Sequence, residues 1–270
     1  VSALLESLKT IVQRRELLYL LVARDVKQRY LRTALGMSWI VLQPLLLLLF
    51  YTFVFSVVLG VRLNTASGGE GSRSDYMLFV IGGLLPWLAF SDGTTRAAGS
   101  LLGNAPIITK VRFPVELLPV SAVGTSLVNL AVSTGLVMIV LAAFGRASIT
   151  FLELPLLALF LAFMALGIGC LLAVMNAFVR DISQFQSFLF SLWLYATPVL
   201  YESSMVPSRF RFLLAVNPLV PILEPFRSAL VAGEWADPQL LLRAGLTSLG
   251  VLLVGLYAFA RAKRFYAELL

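Results

Sequence analysis

The chain has 270 residues, of which 59% are hydrophobic and only 13% charged, with a mean hydropathy of +0.91. That balance excludes a soluble domain with a polar surface and points to an all-α integral membrane protein, since apolar runs of about 20 residues recur along its length. The net charge of +7 fits cytoplasmic flanks and anionic lipid better than nucleic acid, for which no motif accompanies it. The single cysteine, Cys170, lies in an apolar run and histidine is absent. A disulfide framework, a metal set and the commonest general base are therefore missing. No secretory signal is expected at the N-terminus, and with Val1 first the initiator methionine is expected to be missing from this numbering.

Residues 1–23 place Leu4, Leu5, Leu8, Ile11 and Val12 on one helical stripe. The stripe suits a helix lying along the membrane surface or one packed on its own protein. The stretch RDVKQRYLR then gathers Arg24, Lys27, Arg29 and Arg32 immediately before the first predicted span, Ser38–Gly60. Residues 61–75 are rich in Gly and Ser and read as a loop. A second span starts near Tyr76, carries Gly82, Gly83 and Pro86, and is expected to end at Asp92 and Arg96, with a long polar segment over 96–116. Leu117–Phe144 and Leu154–Val179 are the third and fourth spans, and VRDIS separates the fourth from a fifth ending near Tyr201. Residues 202–238 contain five prolines between apolar pieces too short to cross, which predicts a re-entrant helical hairpin. The sixth span covers about Leu240–Ala260, with Arg243 placed to snorkel.

Six spans put both termini on one side. Fourteen of the 21 basic residues fall on that side and seven on the other, so the positive-inside rule places the termini in the cytoplasm and the hairpin outside. Charge orientation alone does not account for Asp25, or for the segment NAPIITKVRFPVELLP, in which Ile107, Ile108, Val111 and Phe113 flank Lys110 and Arg112 between Pro106 and Pro114. A short, partly apolar helix of this kind is suited to docking on a partner.

Three separated stretches, ARDVKQRYLRTALGMSWIVLQPLLLLLFYTFVF, APIITKVRFPVELLPVSAV and TPVLYESSMVPSRFRFLLAVNPLVPILEPFRSAL, resemble the transmembrane permease subunit of type-2 ABC exporters. They are most similar to the branch that exports O-antigen, capsular polysaccharide and teichoic acid. The resemblance implies a homodimer of six-span subunits in the bacterial cytoplasmic (inner) membrane, served by two cytoplasmic ABC ATPase subunits and carrying a lipid-linked polysaccharide. It divides the chain into a cytoplasmic interface helix, 1–37, and a six-span domain, 38–270, with a coupling segment at about 100–116 and an outer gate hairpin at about 202–238. Arg24, Asp25, Lys27, Arg29 and Tyr30 would then lie beside the ATPase, and Ile107, Ile108, Lys110, Val111, Arg112 and Phe113 would form the coupling helix. The chain holds no GxxxxGK[ST] motif, so no cofactor is expected in it, and ATP and Mg would be bound by the partner.

A hydroxyl-rich polymer needs a conduit that offers stacking faces and hydrogen bonds. Trp39, Gln43, Phe50 and Phe53 share a stripe of the first span. The fifth span combines Phe185, Phe188, Trp193 and Tyr195 with Gln184, Gln186, Ser187 and Ser191. These residues either line the conduit or face lipid as membrane aromatics commonly do. In the hairpin, which the resemblance implies to be an outer gate, Glu224 and Arg227 stand three apart and are placed to pair on one helical face, either holding a closed state or forming a mere surface pair. The competing readings are export of a drug or small hydrophobic compound by the same architecture, a membrane-embedded transferase, and a structural scaffold. An enzyme is disfavoured because the carboxylates Asp92, Glu116, Glu153, Asp181, Glu202 and Glu224 form no sequence-close pair.

Overall fold

The computed structural model describes residues 2–30, 35–51, 53, 54, 58, 73–110, 113–179 and 181–263. Among them the regular structure is all helix, with no strand. The helices are α1 (Ser2–Gln13), α2 (Arg15–Tyr30), α3 (Trp39–Tyr51), α4 (Arg73–Gly103), α5 (Ala105–Lys110), α6 (Leu117–Ala143), α7 (Leu154–Phe178), α8 (Ile182–Ala196), α9 (Arg211–Val216), α10 (Val220–Arg227) and α11 (Pro238–Ala262). Among the described residues four helices are long and apolar enough to cross a membrane, or five if the bent pair around α9 and α10 is one broken span.

The third, fourth and last predicted spans agree with α6, α7 and α11 to within about two residues at each end. Positive φ at Gly145 and a 3₁₀ turn at Ile149–Glu153 make the short link between α6 and α7. The first predicted span is represented by the 13-residue α3 and by residues 53, 54 and 58. The rest of it, most of the 61–75 loop, Val111, Arg112, Arg180 and residues 264–270 lie outside the described residues. The fifth predicted span is the 15-residue α8, which stops five residues before Tyr201. Pro198 follows Thr197, whose ψ of 138° is extended, as expected for a residue that precedes proline.

The second span corrects the sequence reading. Asp92 and Arg96 do not end it, because α4 continues as one helix through both to Gly103. An ionisable pair can stay in a long apolar helix when its charges are matched, and here Arg96 Nε binds Asp92 Oδ1 at 3.1 Å one turn away. The polar segment expected over 96–116 is therefore mostly helix, and α5 follows after a single turn residue, Asn104.

Between lipid-bathed helices apolar contact is no better than contact with acyl chains, so close approach and buried hydrogen bonds decide which helices pair. The core follows that rule. α4, α6, α7 and α11 form the centre of the bundle, and a side chain at Gly255 of α11 would collide with the backbone of Gly167 on α7. A side chain at Gly169 of α7 would collide with the methyl group of Ala97 on α4, and Asn176 Nδ2 donates to the Ala98 carbonyl at 3.2 Å. α2 packs on α6 and α1 on α11, while Val12 of the N-terminal stripe is 70% exposed. Ser7, 3% exposed, donates to Glu116 Oε1, which also receives Lys263 at 2.5 Å.

Candidate functional site

One polar region lies midway along α4 and another at the end of the bundle opposite α5. The first joins α2 to the middle of α4. Arg29 Nη1 binds Asp92 Oδ2 at 3.1 Å, Ser126 Oγ of α6 donates to the same oxygen at 2.6 Å, and Arg96 holds the other oxygen. This network borders a cavity of about 360 Å³ between α3, α4 and α6, whose wall includes Gln43, Pro44, Tyr51 and Ser133. Gly93 allows α6 to approach here, since its missing side chain leaves room for Ser126.

The residues expected at the ATPase face divide between this network and the surface. Arg24 is half-exposed and paired with its neighbour Asp25 through Nε and Nη2, at 3.1 and 3.0 Å. Lys27 is exposed. Arg29 instead turns inward to Asp92, and Tyr30 closes α2. The predicted coupling helix is α5, shifted toward the N-terminus so that Pro106 lies inside it. It contains Ile107, Ile108 and an exposed Lys110. Val111 and Arg112 lie outside the described residues. Ile108 and Phe113 pack against the lower core formed by Leu101, Val115, Leu118 and Cys170.

The aromatic residues also divide. On α8 the positions Gln184, Phe188, Ser191 and Tyr195 recur at helical spacing on an exposed face, with Phe185 beside them. Phe188 is 60% exposed and Tyr195 67%. Trp193 points the other way, into a cluster with Trp87, Phe90 and Phe190 whose ring centroids lie 5.4–6.1 Å apart. On α3, Trp39 is half-buried while Gln43, Phe50 and Phe53 are exposed.

At the end of the bundle opposite α5 the two arms of the expected hairpin, Ser208–Val216 and Val220–Ala232, meet at 96°. Asn217 fixes the elbow. Its Oδ1 accepts from Trp193 Nε1 at 3.2 Å and from the Leu219 amide at 3.0 Å, while Nδ2 donates to Thr197 Oγ1 at 2.9 Å. Arg243 of α11 donates to the Ala215 carbonyl, so it holds the hairpin where snorkelling was expected. Glu224 and Arg227 make no ion pair. Glu224 accepts from Ser203. Arg227, 9% exposed, donates through Nη2 to the carbonyls of Pro198 (2.6 Å) and Val199 (3.2 Å) and stacks 3.7 Å above the ring of Phe79. The adjacent Gly82 and Gly83 on α4 form the seat, because a side chain at Gly83 would overlap the guanidinium.

Asp92, Ser126, Asn217 and Phe79 were not singled out from the sequence as site residues. Asp92 and Arg96, four apart in an otherwise apolar helix, carried a legible signal; Asn217 carried none beyond its place before Pro218.

The long apolar helices of the bundle and the bent helix pair define a multi-pass helical membrane protein. The sequence profile of the family described as ABC-2 type transporter matches residues 16–231, and the chain belongs to that family. It is 30% identical over 257 residues to the O-antigen export system permease protein RfbA of Klebsiella pneumoniae, covering 94% of this chain and 95% of the relative. The protein of the same description from Myxococcus xanthus is 31% identical, with 96% and 97% covered. The polysialic acid transport protein KpsM of Escherichia coli is 24% identical over 87% of this chain and 89% of its own length.

Proposed function

We propose that this chain is the permease subunit of an ATP-driven transporter that exports a lipid-linked, O-antigen-like polysaccharide across the bacterial cytoplasmic membrane. The observation that carries this reading is near full-length similarity to permeases of O-antigen and polysialic acid transport. Export of a small hydrophobic compound has no comparable support. The structure adds a physical rationale. The exposed stripe Gln184, Phe188, Ser191 and Tyr195 alternates ring faces with hydrogen-bonding groups, which suits pyranose rings better than acyl chains.

In this reading the chain contributes six spans, with the incomplete α3 and the short α8 as the first and fifth. Two copies assemble around the conduit, and both termini face the cytoplasm. Energy comes from two ABC ATPase subunits that bind ATP and Mg and press on α2 and α5, since the sequence holds no phosphate-binding loop of its own. This subunit moves substrate and makes or breaks no bond in it. The test is to deplete the protein in the producing cell and compare the inner-leaflet pool of lipid-linked glycan with surface polymer. Accumulation inside with loss outside is the expected result. An unchanged surface polymer, in a strain with no second exporter, would remove the reading.

A further inference from the structure

At the end of the bundle opposite α5 lies a second cavity, of about 620 Å³, between the hairpin and the start of α11. Its volume falls in the range of about 300–1,000 Å³ common to small-molecule sites. Three carboxylates border it, Glu202, Glu224 and Asp237, together with the guanidiniums of Arg146 and Arg227 and the indole of Trp235.

The carboxylates are held in place. Glu224 accepts from Ser203 through Oε1, Glu202 from Ser204 through Oε2 at 2.8 Å, and Asp237 from the Gln239 amide through Oδ1 at 2.9 Å. Among the described residues the second oxygen of each takes no hydrogen bond. Trp235 is 57% exposed, yet its loop is fastened on both sides. Gly233, at φ 69°, ends the preceding helical turn and bonds back to Ser228, and the Ala236 amide donates to Glu153 Oε2 at 3.0 Å. Behind the cavity wall, Arg227 is nine-tenths buried and its Nε has no hydrogen-bond partner.

An aromatic face on an anchored loop beside anchored acceptors is the chemistry that recognises a sugar ring. The C–H face of a pyranose stacks on an indole, and adjacent hydroxyls donate to carboxylate oxygens. We infer that this cavity is a saccharide-binding site for a neutral or amino-sugar unit of the exported polymer, with Trp235 as the stacking platform and Glu202 and Glu224 as hydroxyl acceptors. Three carboxylates against two guanidiniums select against a polyanionic strand. The inference rests on the export reading and adds a second contact point, separate from the exposed face of α8.

The test uses the full transporter in nanodiscs of plain phospholipid, titrated with oligosaccharides released by mild acid from the producing cell's own surface polymer and followed by saturation-transfer NMR. Binding is expected in the wild type, weakened about tenfold by Trp235→Ala and by Glu202→Gln with Glu224→Gln, and largely kept by Trp235→Phe. Sialic acid oligomers should bind at least about tenfold more weakly than neutral ones. Equal binding by Trp235→Ala would overturn the site. So would absence of wild-type binding by a protein that restores surface polymer in cells, which leaves export standing and removes only the cavity's role. Protection of Trp235 by glycolipid nanodiscs, with none by released oligosaccharide, would assign the cavity to a membrane glycolipid and also overturn the proposal. A wild-type chain that supports no export would remove the export reading itself, and the proposed ligand with it.

Discussion

Arg29 of α2 and Asp92 of α4, 63 residues apart in sequence, meet at 3.1 Å, and the same carboxylate oxygen accepts from Ser126 of α6. One acidic side chain thus ties a helix that precedes the first span to the middle of a candidate membrane helix. Asp92→Asn removes the charge that balances two guanidiniums, and because the group is partly solvated the expected cost is about 1–3 kcal/mol. A double-mutant cycle with Arg29→Ala and Asp92→Ala, followed by thermal unfolding of the detergent-solubilised protein, should give a coupling energy of about 1 kcal/mol or more. Strict additivity would dissolve the link.

That contact also decides how ATPase docking is to be tested. Charge reversal at Arg29 would disturb α4 directly, whereas Arg24, Lys27 and Lys110 are half-exposed or exposed. Converting these three to Glu is expected to lower co-purification with the ATPase about tenfold or more while leaving the melting temperature within a few degrees. Normal complex yield would move the partner's footprint away from α2 and α5.

The seat of Arg227 yields a sharper geometric test. Gly83→Ala brings a methyl group into the guanidinium, so the hairpin should loosen and trypsin should cut faster at the exposed Arg209 and Arg211. Gly99→Ala on the same helix meets nothing within 4 Å and is expected to be silent or slightly stabilising, since alanine favours helix by about 1 kcal/mol over glycine. Identical cleavage rates in the two variants would show that the seat does not hold the hairpin.

The two faces of α8 should separate stability from transport. Trp193→Ala opens the aromatic cluster and frees Asn217, with an expected loss of about 3–5 kcal/mol. Phe188→Ala with Tyr195→Ala, both on the exposed face, should leave the melting temperature almost unchanged and reduce surface polymer several-fold. Full export by the exposed-face variant would assign that face to lipid or to a structural contact.

The long apolar runs, charge-free in α6 and α7, determined α6, α7 and α11 to within about two residues at each end, because the length of a membrane helix is set locally, by bilayer thickness and by backbone groups that must bond within their own segment. The prolines of residues 202–238 likewise marked the break between α9 and α10, since a missing donor acts on its own turn. The family was legible as well, through three separated stretches in a fixed order. Pairing was not. Arg29 reads as one more exposed cation until Asp92 is brought beside it, and Glu224 and Arg227 stand at ideal spacing yet take Ser203 and the Pro198 and Val199 carbonyls instead. Trp193 and Phe188 are equally aromatic, and only the position of Phe90 on another helix sends one inward. Asp92 was expected to end its helix because its ligands lie 4, 34 and 63 residues away. The energy of a charge or ring in a membrane bundle depends on which distant groups pack around it, and the tertiary structure alone decides that.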